Sequence, residues 1–380
     1  MPSDEEKSVL VLQGGGALGA YQAGAFEALF ASGWRNAWVA GVSIGAINAA
    51  LIAGNPPELR VGKLRSFWER VTQNSFAVPF PEGVPGRGLF NEISANMTML
   101  QGVPGFFRPR FPSAALMPPG TEGASSFYDT SPLHDTLLEL VDFDYLNSGV
   151  VRFSTGAVDV ESGNMIWFDS TRDRIGPEHV MASGALPPGF PAVEIGGRHY
   201  WDGGLVSNTP LQFVLDQQVE HDLCIFQVDL FSARGRLPSS VWEIEARTKD
   251  IRFSSRTRLN TDLLCAWHAS GGAGERLYAK LPPELRDDPD TQALMNGRHH
   301  PSLTIAHLIY RQSRSERHSK DYEFSRASML DHWAAGAHDV NATLAHPDWN
   351  ARHAAPGEVS IFDLGEQRRR HAAGRHGDRT

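Results

Sequence analysis

Cysteine is nearly absent from this 380-residue chain, which has two, Cys224 and Cys265. Both lie in apolar stretches (DLCIF and DLLCAW). Two such residues make neither a disulfide framework nor a metal spacing, so both are read as reduced core residues. No metal site and no cofactor is expected. Long hydrophobic runs are missing too. Ala37 to Ala53 is apolar, but Gly41, Ser43, Gly45 and Asn48 interrupt it, and it falls short of the ~20 apolar residues of a spanning helix. The opening MPSDEEKSVLVLQ has no basic leader and no cleavage site after an apolar stretch, so no secretory signal is expected and the cytoplasm is the expected location. Positive charge is not in excess. Against 35 Lys and Arg stand 44 Asp and Glu, a net −9, which argues against nucleic acid or any general polyanion as partner. Local contact with a membrane surface stays open. There is no internal repeat. The oligomeric state is not legible.

What is present is concentrated in residues 9–48, VLVLQGGGALGAYQAGAFEALFASGWRNAWVAGVSIGAIN. An apolar run meets a glycine cluster that opens a helix, and bare N–H groups at a helix start favour an anion. A second apolar run meets Gly41-Val42-Ser43-Ile44-Gly45, the G-x-S-x-G form that pushes a serine out of a sharp strand-to-helix turn. The β-α-β-α order predicts a parallel sheet with helices on its faces.

Along the chain, 8–13 and 37–42 read as buried strands, and 17–32, 44–53 and 58–72 as helices. Residues 76–132 are rich in Pro and Gly with scattered Phe, Leu and Met. They read as a lid or acyl-pocket insertion, or equally as an irregular packing arm. A helix is expected over 132–146, a hairpin over 150–169, a short helix over 177–184, and strands near 199–201 and 223–231. These elements delimit a core over 8–215. Residues 216–260 close the core with a connecting helix. Residues 261–380 read as a helical C-terminal extension whose tail carries Arg368, Arg369, Arg370, Arg375 and Arg379.

Gly14-x-Gly16-x-x-Gly19 also fits a dinucleotide fingerprint, which wants an acidic residue about 20 positions later at the end of the second strand. That region, Arg35 to Ser43, holds no acid. The glycines are better explained as an oxyanion hole, with Gly14, Gly15 and Gly16 as candidate donors to a developing alkoxide. An exposed serine needs a base. Fifteen histidines are available, but only His199 lies near an expected strand end. Asp202, followed by Gly203-Gly204 after a strand, is the better candidate.

At this point the chain resembles the patatin-like phospholipases, related to the catalytic domain of cytosolic phospholipase A2. Three parts of that family's pattern stand here in order: Gly14 to Gly19, Gly41 to Gly45, and Asp202-Gly203-Gly204. Ala182-Ser183-Gly184-Ala185-Leu186-Pro187 is similar to a fourth block. The resemblance covers about 8–215. Where many members carry a basic residue in the first loop, this chain has Leu18. It implies a three-layer α/β fold with a mostly parallel central sheet and helices on both faces. It also implies a Ser43–Asp202 dyad without histidine, and fatty-acyl ester hydrolysis through an acyl-serine. An acyltransferase or thioesterase would share that intermediate, and a non-catalytic lipid-binding protein would have no need of the trio. Residues 260–345 resemble an extension of some bacterial members, most recognisably in His318-Ser319-Lys320-Asp321-Tyr322-Glu323-Phe324-Ser325. That extension is read as a packing appendage.

Overall fold

A computed structural model describes residues 6–73, 86–121, 123–217, 221–295, 302–311, 316–352 and 359–363. The arginine-rich tail, residues 76–85 of the expected insertion and the Cys265 side chain lie outside the described residues.

Strand β1 (Lys7–Leu12) leads through a 3-10 turn (Gly16–Gly19) into α1 (Ala20–Ala31), and β2 (Asn36–Gly41) leads through Ser43 into α2 (Ile44–Ala53). Helices α3 (Pro57–Val71) and α4 (Arg87–Gln101) precede a small pair, β3 (Arg108–Pro109) and β4 (Tyr128–Asp129). Then come α5 (Ser131–Leu140), α6 (Phe143–Leu146), β5 (Arg152–Asp159), β6 (Met165–Asp169) and α7 (Pro177–Ser183). They are followed by β7 (Val193–Ile195), β8 (Arg198–Asp202), α8 (Leu211–Asp216) and β9 (Leu223–Asp229). The chain closes with α9 (Val241–Tyr278), α10 (Pro283–Arg286), α11 (Pro289–Met295), β10 (Leu303–Ile309), α12 (Arg326–Leu344), α13 (Pro347–Asn350) and β11 (Val359–Phe362).

Nine of these strands form one sheet in the order β11-β10-β9-β1-β2-β5-β8-β7, with β6 paired to β5. From β11 to β5 every pairing is parallel, and β6, β8 and β7 add antiparallel pairings at one end. The parallel strands are buried on both faces, which is why they read as unbroken apolar runs. Alternation divides their side chains. Leu10 and Leu12 pack with residues of α1, α2 and α12, whereas Val9 and Val11 pack on the other face with Trp38, Phe213, Ile225 and Ile305. Helices thus cover both faces of a mostly parallel sheet, as expected.

Three features depart from the sequence reading. The helix expected over 132–146 is two, because Asp142 turns its carboxylate to the Tyr145 N–H (2.9 Å) and restarts the chain as α6. The C-terminal part is not only helical, since β10 and β11 extend the sheet. Neither announces itself by periodicity, because β10 is placed by pairing with a strand 80 residues earlier in the chain (Leu303 with Leu223) and β11 by pairing with β10. Within 76–132, α4 is a full helix with an inverted pattern. It buries Arg87, Asn91, Ser94, Ala95 and Thr98 and exposes Leu89, Ile93 and Leu100. Its buried Arg87 donates to Ser328 (2.9 Å) and Asp331 (3.0 Å) on α12.

Helix α12 lies directly on α1. At the crossing, a Cβ on Gly24 would stand 2.7 Å from the Trp333 carbonyl carbon, and one on Gly336 would stand 2.8 Å from the Ala25 nitrogen. Backbones this close leave no room for side chains. Glycine inside a helix costs about 1 kcal/mol relative to alanine, and here the close packing offsets it. Gly336→Leu is therefore expected to destabilise the fold by about 3 kcal/mol through overpacking, read as a lower denaturant midpoint at an unchanged m-value.

Candidate active site

The site forms at the ends of β1 and β2. Ser43 has φ 56°, and it is the sole non-glycine residue with positive φ among those described. Such a conformation is strained for an L-residue and persists where the surroundings over-determine it. Here they do. A Cβ on Gly45 would stand 2.8 Å from the Leu12 carbonyl carbon and 3.0 Å from the Gln13 oxygen, while one on Gly41 would run into the backbone of Gly45 and Ala46. The two glycines of G-x-S-x-G therefore let α2 start against the end of β1. Ser43 N–H donates to Ser183 Oγ (3.0 Å), whose hydroxyl donates to the Gly156 carbonyl (2.7 Å).

The glycine loop lies beside the serine. A Cβ on Gly14 would be 3.0 Å from Ser43 Cβ. Gly14 N–H donates to the Asn208 carbonyl (3.1 Å), and Asn208 Nδ2 donates back to the Gly14 carbonyl (3.0 Å). Gly14, grouped with Gly15 and Gly16 on sequence, thus has its N–H committed. Gly16 takes φ +53° with its α-carbon against the Asp321 carbonyl, and Ala17 N–H donates to that same oxygen (2.8 Å). The N–H groups of Gly15 and Gly16 between these anchors donate to no protein acceptor among the described residues.

Asp202 reaches this point through strand register. Gly41 pairs with Thr155, and Ala157, two residues further along β5, pairs with Asp202 of the antiparallel β8. Asp202 is thereby level with position 43. Its side chain is buried and accepts from Gly204 N–H (2.7 Å). Burial pushes the carboxyl up to about 6, and the Gly204 N–H and the nearby Ser43 side chain work against the rise. A second buried carboxyl, Asp229, is pushed up to about 7 by burial, but its hydrogen bonds go to Gln227 (2.7 Å) and Thr209 (3.5 Å). His199 is exposed and lies one position out of phase on β8. It therefore points to the face of the strand opposite Asp202. No histidine among the described residues hydrogen-bonds to Ser43 or Asp202, and no cluster of three metal-ligating side chains occurs among them.

Beside the site lies an aromatic layer. Phe106 and Phe107, from the segment after α4, pack on Phe190 at 5.8 and 5.1 Å, and Phe106 meets Phe324 at 6.0 Å. Phe190 follows the Ala185–Pro188 stretch, whose Ala185 carbonyl accepts from Asp202 N–H (3.0 Å).

The structure brings together Ser43, Asp202, Gly14, Gly15 and Gly16. Sequence reasoning missed the supports Ser183, Asn208 and Asp321. The first stands in the block Ala182 to Pro187 already singled out, and the second lies six residues after Asp202. Asp321 stood in the stretch His318 to Ser325 that was singled out in the C-terminal extension, but its contact with the glycine loop is through its backbone carbonyl, which sequence does not show.

A family model described as Patatin-like phospholipase matches residues 10–215, and a second, described as Patatin phospholipase, matches residues 251–355. No curated protein matches the sequence. Among solved structures, VipD from Legionella pneumophila is similar at 14% identity and a TM-score of 0.36, over 90% of this chain and 67% of that one. ExoU of Pseudomonas aeruginosa, solved in complex with SpcU, is similar at 18% identity and a TM-score of 0.28, over 68% of this chain. The aligned part spans about half of that ExoU chain (52%).

Ser183→Ala would leave the Ser43 N–H without its acceptor, at a cost of about 1–3 kcal/mol for a buried donor. The expected result is a lower thermal midpoint together with slower modification of Ser43 by a fluorophosphonate, followed by intact mass.

Proposed function

The chain belongs to the patatin-like phospholipase family, and on that premise we propose that it is a serine acyl hydrolase cleaving fatty-acyl esters of lipids, phospholipids among them. The observation that carries this reading is the strand register that sets Asp202 level with Ser43, as a buried carboxylate that no cation among the described residues neutralises. A carboxylate left this way holds its proton more tightly than one in water, which makes it a stronger base. Its value of about 6 lies close to neutral pH, where a general base is both ionised and effective.

In this reading Asp202 takes the hydroxyl proton as Ser43 Oγ attacks the ester carbonyl. The oxyanion forms beside the uncommitted N–H groups of Gly15 and Gly16, which stabilise it without reorganising. Collapse of the tetrahedral intermediate breaks the bond to the leaving alcohol, and Asp202 returns the proton to that oxygen. Water then attacks the acyl-serine, giving its proton to Asp202, and Ser43 recovers a proton as the fatty acid leaves. Leu186 and Leu205, exposed on either side of Asp202 in sequence, suit contact with a lipid surface.

One fluorophosphonate adduct on the wild-type chain and none on Ser43→Ala is the expected result, and absence of any adduct on wild type refutes the reading. Asp202→Asn is expected to lower kcat by at least about 10²-fold, whereas replacing His199 leaves it near wild type. A comparable loss at His199 would restore a triad. The pH dependence follows from the carboxyl at about 6. Log kcat/KM should be flat above that pH and fall by one unit per pH unit below it. Stability runs the other way. Between the ordinary carboxyl value of 3.8 and about 6 the folded chain holds a proton that the unfolded chain has released, so this group's contribution is greatest below about 4 and is lost as pH rises through 6. Asp202→Asn should accordingly raise the thermal midpoint at pH 8 while removing activity.

A further inference from the structure

The loop that carries the oxyanion donors is held on both sides, and one side belongs to the C-terminal part of the chain. We propose that the turn 318–321 sets the working geometry of the Gly15–Gly16 amides, with Lys249 and Asp321 as positioning residues. This inference rests on the acyl-hydrolase reading and adds to it a role for residues far outside the three motifs.

The loop has little to hold itself. Residues 13–22 carry no charge, and Gly14, Gly15 and Gly16 impose no side-chain constraint on their peptide planes. Orientation has to come from outside. On one side Asn208 pins Gly14 by the two hydrogen bonds given above. On the other, the Asp321 carbonyl takes the Ala17 N–H (2.8 Å) and fills the space where a Gly16 side chain would stand. The Gly16–Ala17 peptide plane is thereby fixed, and the amides of Gly15 and Gly16 remain between the two anchors.

The Asp321 carbonyl is itself held by α9 through two reciprocal ion pairs. Lys249 Nζ donates to Asp321 Oδ1 (2.7 Å) and to the His318 carbonyl (2.9 Å), closing the turn from one side to the other. Lys320 Nζ, almost wholly buried, donates to Asp250 Oδ1 (2.6 Å) and lies 5.5 Å from the Phe231 ring centroid. Consecutive residues of α9 thus grip consecutive residues of the turn with opposite charge order, which fixes its register. The same stretch of α9 touches the loop. The Phe253 carbonyl accepts from Gln13 Nε2 (3.3 Å), and the Phe253 ring packs on Phe231 at 5.0 Å. Phe231 and Leu230 in turn abut Gly15, where a Cβ would stand 3.1 and 2.8 Å from them. Both faces of the loop therefore rest on groups whose placement α9 controls.

Loss of the Lys249 clamp frees the turn to shift its carbonyl, and small misplacement of catalytic groups costs rate rather than ground-state binding. The test uses the full chain, a p-nitrophenyl fatty-acid ester for steady-state kinetics, and a fluorophosphonate for labelling of Ser43. Lys249→Met is expected to lower kcat and the labelling rate by about ten-fold with KM unchanged, at a far-ultraviolet spectrum equal to wild type. Lys249→Arg is expected to restore most of the loss. Should Lys249→Met fail to fold, Asp321→Asn, which keeps the shape and a hydrogen-bond acceptor, is expected to lower kcat several-fold, again with KM unchanged. Wild-type kcat and labelling in a folded Lys249→Met or Asp321→Asn chain would overturn the proposal while leaving the acyl-hydrolase reading standing. Absence of Ser43 labelling in the wild-type chain would overturn both.

Discussion

At the end of β2 the chain turns into α2 so tightly that Gly41 faces the backbone of Gly45 and Ala46, and Gly45 faces the carbonyl group of Leu12. This contact of backbone on backbone is the constraint from which the site follows. It ties the serine turn to β1, and so to the glycine loop that β1 leads into. It holds Ser43 at a positive φ whose strain, of order 1–3 kcal/mol, is offset by α2, buried along its whole length from Ile44 to Ala53. A polar chain in the core runs through the same region. Trp68 Nε1 donates to Asn48 (3.0 Å), Asn48 to Gln22 and to the Gly19 carbonyl (2.9 Å each), and Gln22 to the Gln13 carbonyl (2.6 Å). Fully satisfied networks of this kind rigidify what they connect, and this one connects α2, α3 and the ends of the glycine loop.

The electrostatics of the site depend on what is withheld from Asp202. Some buried carboxylates elsewhere have cations. Asp169 has Arg152 at 2.8 Å, and Glu316 has His332 at 2.6 Å, and each carboxyl is lowered by its partners. Asp202, like Asp229, has no cation among the described residues, and burial dominates. The same sheet therefore holds carboxyls that are lowered and carboxyls that are raised, and the difference is one of neighbours rather than residue type.

The C-terminal third is built into the catalytic core more deeply than an appendage. It contributes β10 and β11 to the sheet and lays α12 on α1. It receives the buried Arg87 of α4 and places a carbonyl against Gly16. Removing it would uncover β9 and α1 and release one anchor of the loop. The family match over residues 251–355 begins within α9, immediately after the Lys249–Asp250 pair that holds the turn.

Sequence alone determined the local devices. The glycine loop, the serine turn, the Asp-Gly-Gly turn and the strand–helix order that carries them are short-range patterns, legible because glycine and apolar periodicity are imposed by backbone sterics within a few residues. Even α4 follows from spacing once its buried side is recognised as polar, though nothing local says that Arg87 will find Asp331. Tertiary structure alone decided the rest. That Asp202 is level with Ser43 depends on the register of β8 against β5 and of β5 against β2. That the Asp202 carboxyl is raised rather than lowered depends on burial without a cation among the described residues. That Gly14 is committed while Gly15 and Gly16 are free depends on Asn208 and on the backbone of Asp321, more than 300 residues away in sequence. Each of these is a relation between distant segments, which no pattern within a few residues of the chain can express.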